Sequence, residues 1–375
     1  MSEYQYYEFQ AVDRPLTQEE QQAVAQLSSR VDPHPWRAVF TYSWSDFPGR
    51  AEEILAKYYD AMLYLANWGS RRLMFRFPKS LVDVEGMVAY NVVTLDYPSE
   101  TVNTYTQGEY AILDIQLHEE GGLDWIEGEG WLDSLVGLRV ALLQGDYRLL
   151  YLAWLKGLTL AYDVDEDALE PPLPPGLGDL TPALDSFVEM VDLDADLLQV
   201  AAGRSARSVP PASTGDLGQT IAQLPSEEKD AFLLRLAQGE PHLSLALNRR
   251  LGALSDMPWP DPTGERYTVG QLLAAAESAR ERSQEKLAAQ AEATRIAELE
   301  ALAQQGEAPW SEVDALIQKS QAKPYDEAVR LLVKLKELAV YQRHEASFQA
   351  RMAEISDQYQ RRYSLIERFR RTVLI

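Results

Sequence analysis

The side chains best suited to chemistry in this chain are carboxylates, and they are concentrated in one stretch. Between Lys79 and Arg139 there are twelve Asp and Glu residues and no Lys or Arg, and eight of the twelve fall within Glu109–Asp133. A field of this sign attracts cationic partners and repels phosphate. The stretch is open to three interpretations: a solvated acidic surface, a docking face for a basic protein segment, or a hard-cation site. The acids do not follow the spacing of a calcium-binding loop, which argues against the third.

One pair of these acids has a spacing that acid–base catalysis could use. Glu127 and Glu129 flank Gly128, so in an extended segment both carboxylates would point to one face. Two close carboxylates raise the pKa of one of them, as glycosidase chemistry requires. A hydrolase that uses the carboxylates of residues 83–133 is therefore one hypothesis, although such pairs arise by chance where acids are this abundant.

Aromatic side chains in the same stretch could anchor a partner. Trp125 and Trp131 flank the acidic, glycine-containing loop, and tryptophan is enriched at the centres of protein interfaces. We take these two residues and the acids around them as candidate partner-binding residues. The set is Glu119, Glu120, Asp124, Trp125, Glu127, Glu129 and Trp131.

The motifs of cofactor, metal and covalent chemistry are absent from the sequence. It has no glycine loop of the P-loop or dinucleotide-binding type, no GxSxG elbow, no Cys and only four His. His118-Glu119-Glu120 could be a fragment of a metal site, but it lacks the helical HExxH spacing. A His–Ser–Asp triad assembles in space and leaves no such pattern. We therefore expect no cofactor, no metal and no catalytic residue, and we favour a non-enzymatic protein.

The charge of the whole chain narrows the class of partner. The formal net charge is −23, which argues against direct nucleic-acid binding because that requires a basic surface. The charge is uneven, since residues 1–170 hold 28 acids and 12 bases whereas residues 266–375 hold 16 and 17. We expect a protein partner with a basic surface. The basic, amphipathic C-terminus could complement the acidic part in cis or pair with another chain.

No feature of the sequence indicates a membrane. The N-terminus lacks the basic and apolar regions of a signal peptide. The most apolar run, Leu149–Tyr162, has 14 residues with Lys156 among them, and a spanning helix needs about 20. The run therefore predicts a buried helix. The absence of Cys fits a reducing compartment, and the expected location is the cytoplasm.

The spacing of apolar residues predicts an acidic α+β domain with a small mixed sheet over residues 1–165. Thr17 and Glu20 form a capping box that opens a short helix, and a longer helix is predicted over Ala51–Trp68, with Gly69 ending it. The predicted strands are Tyr4–Val12, Trp36–Trp44, Arg72–Phe77, Met87–Tyr97 and Tyr110–His118. Two further helices are predicted over Trp131–Gln144 and Tyr147–Leu160.

The rest of the chain is predicted to be helical with breaks. Residues 166–180 are a Pro-rich linker, residues 181–265 hold small helical segments with flexible breaks, and residues 266–375 form an all-α region of a long helix and helical hairpins. Thr268–Gln305 contains no Pro and one Gly, and its apolar seam is thin. That pattern is typical of a coiled coil or of a helix lying across a partner, and it could support a homo-oligomer.

Several segments resemble an uncharacterised family of bacterial cytoplasmic proteins, and together they extend over most of the chain. Tyr7–Thr17 (YEFQAVDRPLT) and Tyr58–Arg72, followed by LMFRFP, carry the resemblance. Phe187–Ala202, Pro225–Ala237 and Trp310–Leu338 are similar to the family as well. Members are often encoded beside SWIM-type zinc-finger proteins, which implies a shared complex or pathway with such a protein. The family has no known activity, so the resemblance assigns no catalytic residue.

These observations favour a protein-interaction role. We expect a cytoplasmic adaptor, scaffold or regulatory protein that binds a partner through its acidic N-terminal domain and its long C-terminal helices. Two alternatives stay open. The hydrolase would require carboxylates of the acidic stretch to converge in a cleft. An effector or regulator of a stress or defence operon would be released by cleavage in linkers at 163–180 or 204–218.

Overall fold

The computed structural model divides the chain into two compact units, Met1–Arg280 and Glu281–Ile375. It describes residues 4–28, 31, 33–43, 47–91, 102–119, 127–161, 164–207, 214–240, 243–252, 266–372 and 374. The first unit contains a six-stranded sheet and helices, and the second unit is helical. Among the described residues, no helix combines the length and the apolar character needed to cross a bilayer.

The sheet of the first unit is antiparallel in every strand pair described. Its strands are β1 Gln5–Gln10, β2 Arg37–Tyr42, β3 Ala61–Ala66, β4 Ser70–Pro78, β5 Val102–Gln107 and β6 Tyr110–His118. Their order across the sheet is β2-β1-β3-β4-β6-β5, so β3 and β4 lie at the centre. The predicted α+β class is confirmed. The pairing is antiparallel where a mixed sheet was expected, because short turns join β3 to β4 and β5 to β6.

Both units contain helices. In chain order they are α1 Gln18–Ala25, α2 Ala51–Tyr58, α3 Val84–Val88, α4 Trp131–Leu135, α5 Gly137–Leu143, α6 Arg148–Leu160, α7 Pro182–Val191, α8 Ala195–Arg204, α9 Thr214–Gln223, α10 Ser226–Ala237, α11 Leu243–Gly252, α12 Val269–Gln304, α13 Ala308–Gln318, α14 Ala322–Tyr341, α15 Glu345–Gln358 and α16 Tyr363–Arg371. The predicted helical C-terminal region with a long helix is confirmed, since α12 has 36 residues.

The pleat of the sheet divides its side chains between two apolar clusters. On one face Phe9, Phe40 and Met74 pack with residues of α1 and α2. On the other face Leu63 and Phe75 pack with residues of the helices from α4 to α8. Neighbouring residues of a strand point to opposite faces, and the central strand β3, which is covered on both faces, is apolar almost throughout.

The helix predicted over Ala51–Trp68 is wrong in its second half. α2 ends at Tyr58 and β3 begins at Ala61. The carboxylate of Asp60 marks the break, because it accepts hydrogen bonds at 2.7 and 2.9 Å from two backbone N–H groups that follow β1. Gly69, with φ +97°, lies in the β3–β4 turn and does not end a helix. A strand buried on both faces shows one continuous apolar run, which periodicity alone cannot distinguish from a buried helix.

Two other predictions change in the structure. Met87–Tyr97 is not a strand where it is described, because Asp83 caps the helix α3 and residues 92–97 lie outside the described residues. The strand of this part is β5. The helix predicted over Trp131–Gln144 is divided at Val136 into α4 and α5. The other predicted strands correspond to β1, β2, β4 and β6 with slightly changed ends.

Residues 166–180, the predicted Pro-rich linker, pack against the core of the first unit. Leu173 and Leu177 are buried in the same apolar cluster as the helix-covered face of the sheet. The hydroxyl of Tyr90 donates a hydrogen bond at 2.8 Å to the carbonyl oxygen of Pro172. Prolines prevent a helix here, but they do not prevent an extended segment from lying on a core.

Glu170, which is fully buried, joins three distant parts of the chain. Its carboxylate accepts hydrogen bonds from the Tyr151 hydroxyl at 2.7 Å, from the backbone N–H of Tyr267 at 2.7 Å and from the guanidinium of Arg204. The same guanidinium stacks on the Tyr267 ring, 3.5 Å from its centroid. These contacts tie the segment before α12 to α6 and α8.

The second unit has an apolar core of its own. Helix α14 packs against α13, α15 and α16, and Leu332, Met352 and Phe369 are among its fully buried side chains. The apolar residues of α14 recur at helical spacing, as a helix requires when its neighbours cover one face.

Replacing Glu170 by Gln should destabilise the protein strongly, because the Arg204 guanidinium would lose its carboxylate partner at a mostly buried position. We expect the free energy of unfolding in urea to fall by about 3 kcal/mol. The matched control is Asp167→Asn, which removes an exposed carboxylate from the same segment and should cost less than about 0.5 kcal/mol. Equal losses in the two variants would contradict the role of Glu170.

The capping box predicted at the start of α1 is present and predicts a pH-dependent contribution to stability. The Thr17 hydroxyl accepts from the Glu20 N–H at 3.3 Å, and the Glu20 carboxylate accepts from the Thr17 N–H at 2.7 Å. Two hydrogen bonds from the Arg14 guanidinium lower the pKa of Glu20 to about 2, from a usual value of 4.5. The folded-state pKa is depressed, so this stabilisation is present above about pH 4.5 and is lost as the pH falls toward 2.

At pH 7 we expect Glu20→Gln to lower the melting temperature by about 1–2 °C. The difference from the unchanged protein should shrink as the pH is lowered from 4.5 to 2.5. Glu19→Gln is the control, because Glu19 lies in the same helical turn and makes none of these bonds. A difference for Glu20→Gln that stays constant between pH 7 and pH 2.5 would contradict the assignment.

Candidate functional site

The described part of the predicted site consists of the end of β6 and the segment that leads into α4. Glu119 directly follows β6, Glu127 and Glu129 precede α4, and Trp131 is the first residue of α4. The other candidate residues lie outside the described residues; they are Glu120, Asp124 and Trp125.

The acidic tripeptide Glu127–Gly128–Glu129 is held in place at its centre. Gly128 is buried against the Tyr6 ring, so closely that a Cβ on Gly128 would lie 2.2 Å from ring carbon atoms. Burial raises the pKa of the neighbouring Tyr4 hydroxyl, and the charges of Glu127 and Glu129 raise the pKa further. A hydrogen bond from the backbone N–H of Gly128 to the Tyr4 oxygen acts in the opposite direction. Both glutamates are exposed, and neither pairs with a cation among the described residues. The tripeptide therefore presents two uncompensated carboxylates from a fixed backbone.

Trp131 is only partly available to a partner. Its side chain is half-buried and packs against the core that also takes up Leu132 and Leu135 of the same helix. We expected an exposed anchor, whereas the indole contributes part of its surface to the fold. The accessible part of the indole is near the acidic tripeptide in sequence, because Trp131 follows Glu129 by two residues.

Glu119 differs from the other candidate carboxylates. Its side chain is 35% exposed and faces two buried cations, with Oε2 3.9 Å from Arg71 Nη2 and Oε1 3.5 Å from Lys156 Nζ. Its backbone N–H donates to the carbonyl oxygen of Gly69 at 3.2 Å, and a Cβ on Gly69 would lie 2.1 Å from the Glu119 carbonyl oxygen. The β3–β4 turn thus positions Glu119, and only glycine allows this approach.

His118 and Glu119 point to opposite faces of the sheet, so they do not form one site. His118 Nδ1 lies 2.9 Å from Ser70 Oγ, which also accepts a hydrogen bond from the Trp68 indole N–H at 3.1 Å. Within the described residues no carboxylate bonds to His118, so the Ser–His contact is not extended to a triad there. No cluster of three or more His, Cys, Asp or Glu side chains suited to a metal ion occurs in the described ranges either.

Most of the described Lys and Arg side chains among the first 170 residues form ion pairs within the unit. Eleven of the twelve Lys and Arg residues are described, and ten of these form an ion pair with a carboxylate. The eleventh, Lys57, lies over the ring of Tyr58. The ten are Arg14, Arg37, Arg50, Arg71, Arg72, Arg76, Lys79, Arg139, Arg148 and Lys156. The exposed carboxylates that remain unpaired therefore determine the sign of the surface field.

Asp60 is the carboxylate at the centre of the most buried of these contacts. Arg76 Nη2 lies 2.7 Å and Arg139 Nη2 lies 3.8 Å from Asp60 Oδ1, and Arg139 also forms a bidentate pair with Asp13 at 2.7 Å. Burial by itself would raise the pKa of Asp60, but the charges of Arg139 and Arg76 outweigh it and hold the pKa below its usual value. These arginines are therefore structural and do not contribute to the surface field.

The carboxylates that a hydrolase would use have unlike surroundings. Glu127 and Glu129 lie in solvent, whereas Glu119 lies between Arg71 and Lys156. Acid–base chemistry by two carboxylates needs environments that hold one protonated and the other ionised, and burial is the usual means. The acidic tripeptide has no such enclosure among the described residues.

Arg71 and Lys156 are the two charged residues near the site that the spacing of motifs did not indicate. Lys156 interrupts the apolar run of the buried helix α6, and Arg71 lies in the central strand β4 in phase with the buried Leu73 and Phe75. Both are only 4% exposed. A charged residue at a core position is the signal that could have identified them.

Comparison with known proteins adds no assignment to this site. No protein-family model matches the chain, and no curated protein and no solved structure is significantly similar to it. The roles of these residues follow from their contacts alone.

Replacing Gly128 by Ala should displace the acidic tripeptide, because the added methyl group would overlap the Tyr6 ring. We expect the free energy of unfolding to fall by about 1–3 kcal/mol, as for other substitutions that overfill a packed site. The matched control is Gly203→Ala in α8, where an added Cβ has no atom within 4 Å; it should leave stability unchanged or raise it by up to about 1 kcal/mol. Chemical denaturation gives both values. Equal stability of the two variants would contradict the packing described for Gly128.

Proposed function

We propose that this chain is a non-enzymatic adaptor, scaffold or regulatory protein that binds a basic segment of a partner protein on the acidic surface of its first unit. One observation carries the proposal. Ten of the eleven described cations among the first 170 residues form ion pairs within the unit, whereas Glu127 and Glu129 extend into solvent from the buried Gly128. A surface built in this way is complementary to Lys and Arg side chains and repels other anionic surfaces.

The electrostatic contribution to such binding is collective. Each exposed ion pair contributes about 0–1 kcal/mol, so no single glutamate determines affinity. The combined field acts on the rate of encounter and on the choice of partner, and it weakens as salt is added. A fixed backbone at Gly128 reduces the entropy lost when the two carboxylates are engaged.

An apolar surface in the same unit supports an interaction role. Leu233, Leu234 and Leu236 of α10 are 63%, 60% and 64% exposed, and this helix has no buried residue. Leucines clustered in this way on a surface mark sites of protein–protein contact. Together with the acidic surface they favour a partner segment that carries apolar residues beside its basic ones.

The long helix α12 supports the scaffold part of the proposal. Residues 284–295 are all exposed, including Leu287 at 65%. Residues 266–375 hold 16 acids and 17 bases, so this part of the chain can approach a second copy without strong local repulsion. We propose that the exposed stretch pairs with the same helix of a second copy.

The two alternatives have less support. The described carboxylates of the hydrolase hypothesis do not share an enclosed environment. Release by cleavage needs an accessible segment; within 163–180, residues 165–169 are exposed, whereas Glu170, Leu173 and Leu177 are buried. The remaining segment named for cleavage, 204–218, lies partly outside the described residues.

The proposal is tested with a paired set of charge variants and a defined probe. The test variant is Glu127→Gln with Glu129→Gln, and the control is Glu19→Gln with Glu85→Gln, which removes the same charge from two other exposed positions. The probe is a fluorescent Lys- and Arg-rich peptide with interspersed leucines, followed by anisotropy at low and high salt. We expect the test variant to bind about three- to tenfold more weakly than the control variant at low salt.

Two outcomes would contradict the proposal: an equal loss of affinity in both double variants, or no peptide binding to the unchanged protein at low salt. An equal loss would mean that the total charge, and not the acidic tripeptide, attracts the peptide. The SWIM-type zinc-finger protein implied by the family resemblance is the first full-length partner to test with the same variants.

A further inference from the structure

We propose that Arg71 and Lys156 form a binding site for a small oxyanion, a carboxylate or a phosphate, and that the Glu119 carboxylate occupies this site when no ligand is bound. The proposal is independent of the acidic docking surface, because the site lies on the face of the sheet that packs against the helices from α4 to α8. It rests on an arginine that is buried like its neighbours but is not paired like them.

Arg71 is the second residue of the central strand β4. It lies opposite Leu65 of β3 and Leu117 of β6, and it points to the same face as Leu73 and Phe75. Its side chain is 5% exposed. Burial lowers the pKa of its guanidinium, although the charge of Glu119 opposes this effect. The ionised group is therefore largely removed from water.

The contacts of Arg71 differ from those of the other buried arginines. Arg76, Arg139 and Arg148 each lie 2.7 Å from a carboxylate oxygen. The single ion-pair contact of Arg71 within the described residues is to Glu119, at 3.9 Å. Its Nε is buried and has no hydrogen-bond partner there. A buried charged donor left in this state destabilises the fold unless another group supplies an acceptor.

Lys156 of helix α6 adds a second cation beside Glu119. Its side chain is 5% exposed, and Nζ donates a hydrogen bond at 3.1 Å to the carbonyl oxygen of Asp192 at the end of α7. Nζ lies 3.5 Å from Glu119 Oε1. The Asp192 side chain adds a carboxylate in the neighbourhood, but it forms no ion pair with either cation in the described part of the chain. Two buried cations thus share one loosely held carboxylate.

Glu119 has the properties of an occupant that can leave. Its side chain is 35% exposed, so one side of the site is open to solvent. Its Oε2 is buried without a hydrogen-bond partner among the described residues, which means that the carboxylate is poorly satisfied where it lies. Rotation of this side chain toward water would uncover both cations at once, and a ligand could then enter from the exposed side.

The arrangement of donors indicates the class of ligand. Nε and one Nη of a guanidinium form the edge that binds carboxylates and phosphates through two parallel hydrogen bonds. At Arg71 this edge lacks a close acceptor, and the ammonium of Lys156 can bind a further oxygen of the same ligand. An anion with two or three oxygens on one centre matches these donors, whereas chloride offers no paired acceptors.

The test uses inorganic phosphate, sulfate and acetate as separate probes on the full chain, with ionic strength held constant by sodium chloride. Binding is measured by calorimetry and by the shift of the melting temperature. We expect saturable binding of at least one oxyanion to the unchanged protein. Glu119→Gln removes the internal competitor and should tighten that binding about tenfold. Arg71→Gln and Lys156→Met should each abolish it.

A control variant separates this site from general salt effects. Phosphate and sulfate stabilise most proteins by exclusion from their surface, and that effect would be the same in every variant. Arg50→Gln removes an exposed arginine, and it should bind the oxyanion as the unchanged protein does. Tighter binding to Glu119→Gln needs no change at a buried residue, so this comparison stays decisive if Arg71→Gln fails to fold. The probe that binds identifies the ligand as a phosphate-type or a carboxylate-type anion.

The absence of saturable binding to both the unchanged protein and Glu119→Gln would overturn the proposal. Equal affinity of these two proteins for every probe would overturn it as well, because Glu119 would then not occupy the site. In the first case, Arg71 and Lys156 serve only to position Glu119 and the end of α7.

Discussion

The fold of the first unit depends on ion pairs between buried side chains of the sheet and the segments that cover it. Its sheet is covered on both faces, yet the central strand β4 carries three arginines and the covering helices bring further cations to the same layers. A charge that leaves water is tolerated only with a partner at hydrogen-bond distance. Among the pairs that meet this requirement are Arg72 with Asp114, Arg76 with Asp60, and Arg139 with Asp13.

This internal pairing decides the character of the surface. Ten of the eleven described cations among the first 170 residues pair with carboxylates of the same unit, and Glu127 and Glu129 form no ion pair within the described residues. The net charge of the chain is −23, and exposed carboxylates such as Glu127 and Glu129 contribute to it at the surface. The same rule makes Arg71 stand out, because it is as buried as its paired neighbours and lacks a close acceptor. The proposed acidic docking surface and the proposed anion site therefore follow from one constraint.

Some features are determined by residues that lie close together in the chain. The capping box of Thr17 and Glu20 forms as expected, and the strand predicted over Tyr110–His118 has those bounds in the structure. The prediction over Ala51–Trp68 is wrong because β3 lies at the centre of the sheet, where both of its faces are apolar. Its neighbours decide between helix and strand there, and they are far away in sequence. The proline-rich segment after residue 165 likewise packs on the core through Glu170, whose partner Tyr267 lies 97 residues further on.

The amino-acid sequence by itself determined the α+β class, the helical C-terminal region with its long helix, the excess of acid and the local starts and ends of several elements. Each of these follows from composition or from residues within a few positions of one another. Only the tertiary structure decided which charges lie inside and which lie outside. Arg139 and Asp13, for example, are 126 residues apart and form a bidentate pair. Coulomb attraction acts over ångströms in space and not over positions in the chain, so the free carboxylates at Glu127 and Glu129 and the poorly paired Arg71 could be recognised only after folding had brought every other pair together.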